Sequence, residues 1–359
     1  MTYYATFIPG LQEFIAVAIR ERLPDVSILK LLDGAVIFKT GVTYDSLNFF
    51  CFNNIFALID IDEIRDKKAK CDIDEIHKYN GQAKIELHIK KIINALDNRS
   101  LEAMQVISEN NNKIQSFRLV CSAENKPVSI SEKSRLGMEK FIERISSLKP
   151  DRSNPDTEFW FLYRSEGFCV FMKRLTNNRA GEKSLHPGEL SPQLAWSLCR
   201  IAELKHGQTA SDPFCGYGSI PLAACRHFPV KKFYASDLDP ACVKIAKSKP
   251  GLKNERCEIV KADFRSVPEL IGQGSIDVIV TDPPWGLYKE TDVPLQRLYD
   301  EIIGCFARLL KAGGTAVILS AAEKEVEAAV GKVGMLTING KIPVLVSGKK
   351  AIIFKLGKV

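Results

Sequence analysis

The spacing of apolar and polar positions divides the chain into three stretches. A mostly apolar run over residues 3–8 ends at Pro9-Gly10 and predicts a strand. Residues 11–23 follow with apolar side chains at Leu11, Phe14, Ile15, Ala18 and Ile19, the three-and-four spacing of an amphipathic helix, and Pro24-Asp25 stops it. Two short runs, 28–32 and 35–39, flank Asp33-Gly34, a residue pair favoured in tight hairpins. Residues 49–62 add a helix and a strand, so 1–65 read as a small α+β unit.

Residues 66–179 open on a Lys/Asp-rich stretch. Strands are expected at 83–89, 117–123, 159–163 and 167–173, and helices at 92–98, 100–110 and 134–148. Basic residues recur through this segment without a catalytic cluster, the pattern of a binding module. The grain then changes. Ala180-Gly181 and the prolines at 187 and 192 mark a linker, and a helix covers 193–204. From Thr209 onward strand and helix alternate: strands at 209–212, 232–236, 257–261, 278–281 and 315–320, helices starting near Ser219, Pro240, Pro268, Pro294 and Lys324. Residues 341–346 and 351–356 close the chain as a hairpin. Such an order predicts a doubly wound parallel sheet with an antiparallel edge.

Composition narrows the class. The chain of 359 residues is 45% hydrophobic and 26% charged, which excludes disordered and fibrous classes. The longest apolar-leaning stretch, 47–61, is broken by Asn48, Asn53, Asn54 and Asp60, short of the roughly 18–20 residues a membrane span needs. The opening MTYYATFIPG carries no basic and apolar leader pattern, so a cytoplasmic protein without a membrane partner is expected. Ten cysteines with no CxxC spacing read as reduced, mostly buried thiols, and no metal is expected. The net charge of +7 says little until it is divided: residues 1–112 carry −3, residues 113–179 +5 and residues 180–359 +5. A polyanion lying across the second and third segments suits that gradient.

Four short motifs sit where successive strands of the third segment end. The first, Asp212-Pro213-Phe214-Cys215-Gly216-Tyr217-Gly218-Ser219, leaves a strand and enters a helix; Gly216 and Gly218 let the backbone turn tightly against a ligand. The third glycine of the dinucleotide fingerprint is missing, position 221 being Pro, and there is no GxxxxGK(S/T), which argues against nucleotide phosphates. The second motif is Ser236-Asp237-Leu238-Asp239-Pro240. Asp237 is placed to accept both hydroxyl hydrogens of a ribose, whereas Asp239 before Pro reads as a helix cap. In the third, Lys261-Ala262-Asp263-Phe264, Asp263 can accept from an adenine amine while Phe264 covers the ring.

The fourth is Thr281-Asp282-Pro283-Pro284-Trp285-Gly286. Two prolines after the carboxylate force an extended turn. Asp282 and the Pro283 carbonyl can then take both hydrogens of an exocyclic amine, leaving its lone pair aimed at a methyl donor, and Trp285 offers a face for an extruded base.

In these motifs the chain resembles class I methyltransferases that use S-adenosyl-L-methionine, in the (D/N)PP(Y/F/W) amino-methylating group: DPFCGYGS, ASDLDP, KADF and TDPPWG match its successive motifs over residues 205–359. SLHPGELSPQLAWSLCRIA resembles the joint between a THUMP RNA-binding domain and its methyltransferase, and YYATFIPGLQE is similar to the start of the ferredoxin-like unit that precedes THUMP. The resemblance implies an α/β protein: an N-terminal ferredoxin-like domain (1–65), a THUMP-like RNA-binding domain (66–179), a linker and first helix (180–204), and a Rossmann-like methyltransferase domain (205–359). It further implies S-adenosyl-L-methionine as cofactor, held by Asp212, Phe214, Gly216, Gly218, Asp237, Leu238, Asp263, Phe264 and Asp282. The catalytic set would be Asp282, Pro283, Pro284 and Trp285. The implied reaction is methylation of guanine N2 in structured RNA, most often tRNA, by a chain expected to be monomeric. Two positions depart from the pattern: Tyr217 stands where a small residue is usual, and Gln12 where Glu is usual. DPPW alone leaves open rRNA guanine, adenine N6 or a protein glutamine; the alternative of another class is a non-catalytic RNA-binding scaffold, against which the intact Asp282 and both glycines argue.

Overall fold

The structure is a computed structural model that describes residues 1–47, 49–63, 81–94, 106–107, 114–124, 126–176, 185–286 and 293–359. Cys71, the Lys/Asp-rich opening of the second segment, Ala180-Gly181 and most of the helix expected over 100–110 lie outside the described residues. The chain forms two compact units. The first takes residues 1–6, 16–48 and 54–178; the second takes 7–15, 49–53 and 179–359.

The first unit is built on one sheet of nine strands: β1 (Thr2–Thr6), β2 (Ser27–Leu32), β3 (Ala35–Lys39), β4 (Asn54–Glu63), β5 (Ser116–Ala123), β6 (Lys126–Pro127), β7 (Lys149–Pro150), β8 (Thr157–Arg164) and β9 (Phe168–Arg174). Its order is β2-β3-β1-β4-β9-β8-β5-β6, with β7 paired to β5. The segments 1–65 and 66–179, expected as separate domains, therefore share this sheet. The join is the antiparallel pairing of β4 with β9, in which Ile61 lies opposite Val170. Phe117, Phe159, Phe161 and Phe171 pack one face against the helices Gly81–Asn94 and Glu132–Ser146, while Tyr4, Ile37, Phe56 and Met172 form a smaller cluster on the other.

Residues 83–89, expected as a strand, lie inside the helix Gly81–Asn94. Ile85, Leu87 and Ile89 alternate as a strand would. The buried set is Ile85, His88, Ile89 and Ile92, at helical spacing, while Leu87 is 53% exposed. Extending the window to Ile92 decides the period in favour of the helix.

The second unit holds seven strands: β10 (Thr209–Asp212), β11 (Lys232–Asp237), β12 (Cys257–Lys261), β13 (Ile276–Thr281), β14 (Leu310–Ser320), β15 (Leu336–Val346) and β16 (Lys349–Lys358). They lie in the order β12-β11-β10-β13-β14-β16-β15. Pairings from β12 to β14 are parallel, and β16 enters antiparallel between β14 and β15. This is the doubly wound sheet with an antiparallel hairpin expected from the sequence. The crossover helices include α6 (Ser219–His227), α7 (Pro240–Ser248), α9 (Leu295–Leu309) and α10 (Glu323–Val333), counting the earlier helices Gln12–Arg22, Tyr44–Leu47, Gly81–Asn94, Glu132–Ser146 and α5 (Pro192–Ile201) first and Val267–Ile271 as α8.

Helix α5 is no mere connector: Leu194, Ala195, Trp196, Ser197, Leu198, Cys199 and Ile201 are buried, so this domain's packing starts ahead of residue 205. Parallel strands are buried on both faces, and β13 reads accordingly as the apolar run Ile276, Val278, Ile279, Val280. Running in one direction, β10 to β13 bring their carboxyl ends to a single edge. The order reverses between β10 and β13, and ligands of open α/β sheets bind at such a switch point.

Candidate active site at the sheet switch point

Asp212 ends β10 and is buried. Thr281, ending the adjacent β13, donates from Oγ1 to Asp212 Oδ1 at 2.7 Å, a bond that spans the switch point. The Phe214 N–H donates to the same oxygen at 3.1 Å. Asp212 Oδ2 is buried without a hydrogen-bond partner. Burial, opposed by those two donors and aided by the charges of Asp237 and Asp282, pushes the Asp212 carboxyl up to about 8.

Asp237 ends β11 and ties two turns. Its Oδ2 accepts from the Gly216 N–H at 2.8 Å, and its Oδ1 accepts from the Asp239 N–H at 2.9 Å. Each oxygen keeps a second lone pair for a hydroxyl. Gly216 and Gly218 both adopt left-handed backbone, φ +48° and +85°; a Cβ on Gly216 would meet open space, whereas one on Gly218 would sit 3.0 Å from Ala246 Cβ. Gly216 thus leaves room on the ligand side, and Gly218 lets the loop close on α7. Leu238, next to Asp237, is 61% exposed, an apolar surface that a bound nucleoside ring would cover. Asp239 caps α7 by accepting from the Ala241 N–H at 2.8 Å, as its place before proline suggested.

Asp263 and Phe264 have other attachments. Asp263 accepts from the Arg265 N–H at 2.9 Å and pairs with its guanidinium at 3.0 Å. Phe264 is buried in the domain core with its ring 4.9 Å from that of Phe214.

Asp282 is half-buried, and its Oδ1 accepts from the Trp285 indole N–H at 2.8 Å, so carboxylate and ring are fixed to each other. Burial outweighs that bond and raises the Asp282 carboxyl to about 7. Pro283 is buried and Pro284 exposed. The Pro284 carbonyl accepts from Tyr299 Oη at 3.1 Å, and Tyr299, buried on α9, also shares a 2.5 Å hydrogen bond with Ser320 at the end of β14. Thr281 opens the fourth motif but had no role assigned there, and Tyr299 and Ser320 were not singled out from the sequence; only the turn after β13 makes the three part of the site.

The partners of Asp212, Asp237 and Asp282 are hydroxyl, backbone N–H and indole N–H donors, which leave the site acidic. Nucleotide phosphates would be repelled there, whereas a ligand carrying positive charge would favour the ionised carboxylates. The orphaned Asp212 Oδ2, the open space at Gly216 and the bare Leu238 therefore fit S-adenosyl-L-methionine, which joins a nucleoside to a cationic end. Among the described residues, no cluster of three or more His, Cys, Asp or Glu is arranged to hold a metal, and the cysteines are free thiols.

The two raised carboxyls make a stability prediction for the ligand-free protein. Both favour their protonated forms in the fold, so the stability they contribute is fully present below about pH 4 and is lost as pH rises through 7 and 8. The thermal midpoint should fall between pH 6 and pH 8.5. Asp212→Asn should flatten the upper part of that slope in scanning calorimetry; an unchanged slope would disprove the assignment.

Residues 179–338 match the UPF0020 family, described as RMKL-like, methyltransferase domain. The U6 snRNA (guanine-N(2))-methyltransferase THUMPD2 of Mus musculus is 28% identical over 174 residues, which cover 48% of this chain and 32% of that protein. The tRNA (guanine(6)-N2)-methyltransferase of Thermus thermophilus is 32% identical over 147 residues, 40% of this chain and 43% of that one. The aligned stretches thus span less than half the length of these relatives. In three dimensions, the crystal structure of TrmN from Thermus thermophilus superposes with a TM-score of 0.77 at 20% identity, covering 100% of this chain and 99% of that one, and establishes a shared fold.

Proposed function

We propose that this chain is an S-adenosyl-L-methionine-dependent RNA methyltransferase that forms N2-methylguanosine, with tRNA as its substrate, in the cytoplasm. The observation that carries the reading is the acidic switch point, where Asp212, Asp237 and the Asp282–Trp285 pair lie at one sheet edge. S-adenosyl-L-methionine supplies a methyl group already activated on a sulfonium. The protein's part is then chiefly positioning. Asp237 holds ribose hydroxyls, Leu238 covers the adenine, and Asp212 Oδ2 faces positive charge. Asp282 accepts an N–H from the target amine and turns its lone pair outward, while Trp285 stacks on the base. A strong general base is not required, because the methylated nitrogen can shed its proton after transfer.

RNA as substrate draws support from two directions. The segments 113–179 and 180–359 each carry a net charge of +5, and the named relatives act on guanine N2 of tRNA or U6 snRNA. The deciding experiment incubates the protein with total RNA and isotopically labelled S-adenosyl-L-methionine, followed by nucleoside mass spectrometry of size-fractionated RNA. Label in N2-methylguanosine of the tRNA fraction is expected. Label in N6-methyladenosine would overturn the choice of base, label confined to small nuclear RNA would overturn tRNA, and no label on RNA would overturn the enzyme reading.

A further inference from the structure

The reading above leaves Tyr217, the bulky residue between the two glycines, without a task. Its ring stacks on the imidazole of His186, with centroids 4.4 Å apart and planes 18° from parallel. Its hydroxyl lies beside the Cys242 thiol on α7. His186 belongs to a turn that closes on itself: the Glu189 N–H donates to the His186 carbonyl at 2.9 Å, and the His186 N–H donates to Glu189 Oε2 at 3.1 Å.

The other oxygen of Glu189 reaches outward. Oε1 accepts from Ser219 Oγ, the first residue of α6, at 3.2 Å, and from Lys249 Nζ, at the end of α7, at 2.5 Å. The Glu189 side chain is only 6% exposed. Burial works against its charge, yet Lys249 and the other donors win and hold the carboxyl below the usual range. The loop 213–218 is consequently pinned twice, by Asp237 on the ligand side and by the turn 186–189 on the outer side.

We infer that His186, Glu189 and Tyr217 form a latch that holds the cofactor loop in its binding shape, and so set the affinity for the methyl donor. The inference rests on the methyltransferase reading and deepens it. A loop with two left-handed glycines has many conformations to lose on binding, and a latch that removes them beforehand lowers the cost of association. These are positioning residues: they act on the ligand through Gly216 and Gly218.

The test compares wild type with Glu189→Gln and His186→Ala in three measurements. Hydrogen exchange of residues 213–219 in the ligand-free protein should become faster in both variants. The calorimetric Kd for S-adenosylhomocysteine and the KM for S-adenosyl-L-methionine should each rise about tenfold, the scale of one lost charge-assisted hydrogen bond, while kcat at saturation stays within about twofold. Lys249→Arg, which preserves the charge partner, should stay near wild type. His186 is exposed, so its variant keeps the test meaningful should Glu189→Gln fold poorly. Lowered thermal stability with unchanged Kd and loop exchange would overturn the latch. Absence of binding by wild type itself would instead overturn the methyltransferase reading beneath it.

Discussion

Replacing Asp282 by Ala is expected to lower kcat roughly 100- to 1,000-fold, the range seen when one preorganised group facing a transition state is removed. Two effects combine. The target amine loses the acceptor that orients its lone pair, and the Trp285 indole loses the oxygen that fixes its ring at 2.8 Å. Affinity for S-adenosylhomocysteine should change little, because Asp212, Asp237 and the glycine loop are untouched. Asp282→Asn should lie between wild type and Ala: an amide keeps one acceptor oxygen but swaps the other for a donor. Single-turnover methyl transfer at saturating cofactor and RNA measures this directly. A wild-type rate for Asp282→Ala would mean that the chemistry happens elsewhere.

The same residues show what can be read from a sequence. In the second unit the strand ends were legible because local rules agree there: an apolar run, then Asp or Asp-Pro, then a glycine or proline that turns the chain. Asp212, Asp237 and Asp282 were found that way, each at the end of its own strand. Their mutual relation was not. Nothing near Thr281 indicates that its hydroxyl reaches Asp212, 69 positions earlier in the chain, and only the β10–β13 pairing brings them together. Tyr299 and Ser320 were hidden for the same reason. An aromatic after a strand-end carboxylate suggested a ring cover at Phe264, and its packing 4.9 Å from the Phe214 ring was likewise not legible in the sequence.

In the first unit the local rules were weaker. The strand–helix confusion over 83–89 came from a window too short to separate the two periods. The sheet shared across residue 65 was not legible because sheet pairing is a long-range event: β4 meets β9, more than a hundred residues later, and no residue in either strand advertises its partner. Net charge is a different kind of guide, because it sums over a surface and does not depend on which strands meet.

The largest stability loss is expected from Gly10→Ala, at a residue whose sequence context suggested only a turn. Gly10 has φ +96°, and a Cβ built there would lie 1.9 Å from the Pro343 carbonyl oxygen and 2.9 Å from Val344 Cα. These obstacles are backbone atoms of β15, so no side chain can swing aside. The chain is held against that strand by the Leu345 N–H, which donates to the Pro9 carbonyl at 3.1 Å. Alanine must therefore either break this contact or displace a strand that pairs along its length with β16. Strain in a left-handed backbone costs about 1–3 kcal/mol, and overpacking adds about 1–3 more. A loss of about 3–5 kcal/mol follows, a large share of a typical domain's stability. Gly348→Ala, in the turn between β15 and β16, separates the two causes, because its φ is +78° but nothing lies within 4 Å of its Cβ position. That variant should show the backbone cost alone, about 1–2 kcal/mol. Denaturant unfolding followed by Trp196 fluorescence, on the helix whose indole faces Phe14 in this same unit, reads both. Equal losses for the two glycines would show that the close approach of Pro9-Gly10 to β15 does not exist in solution.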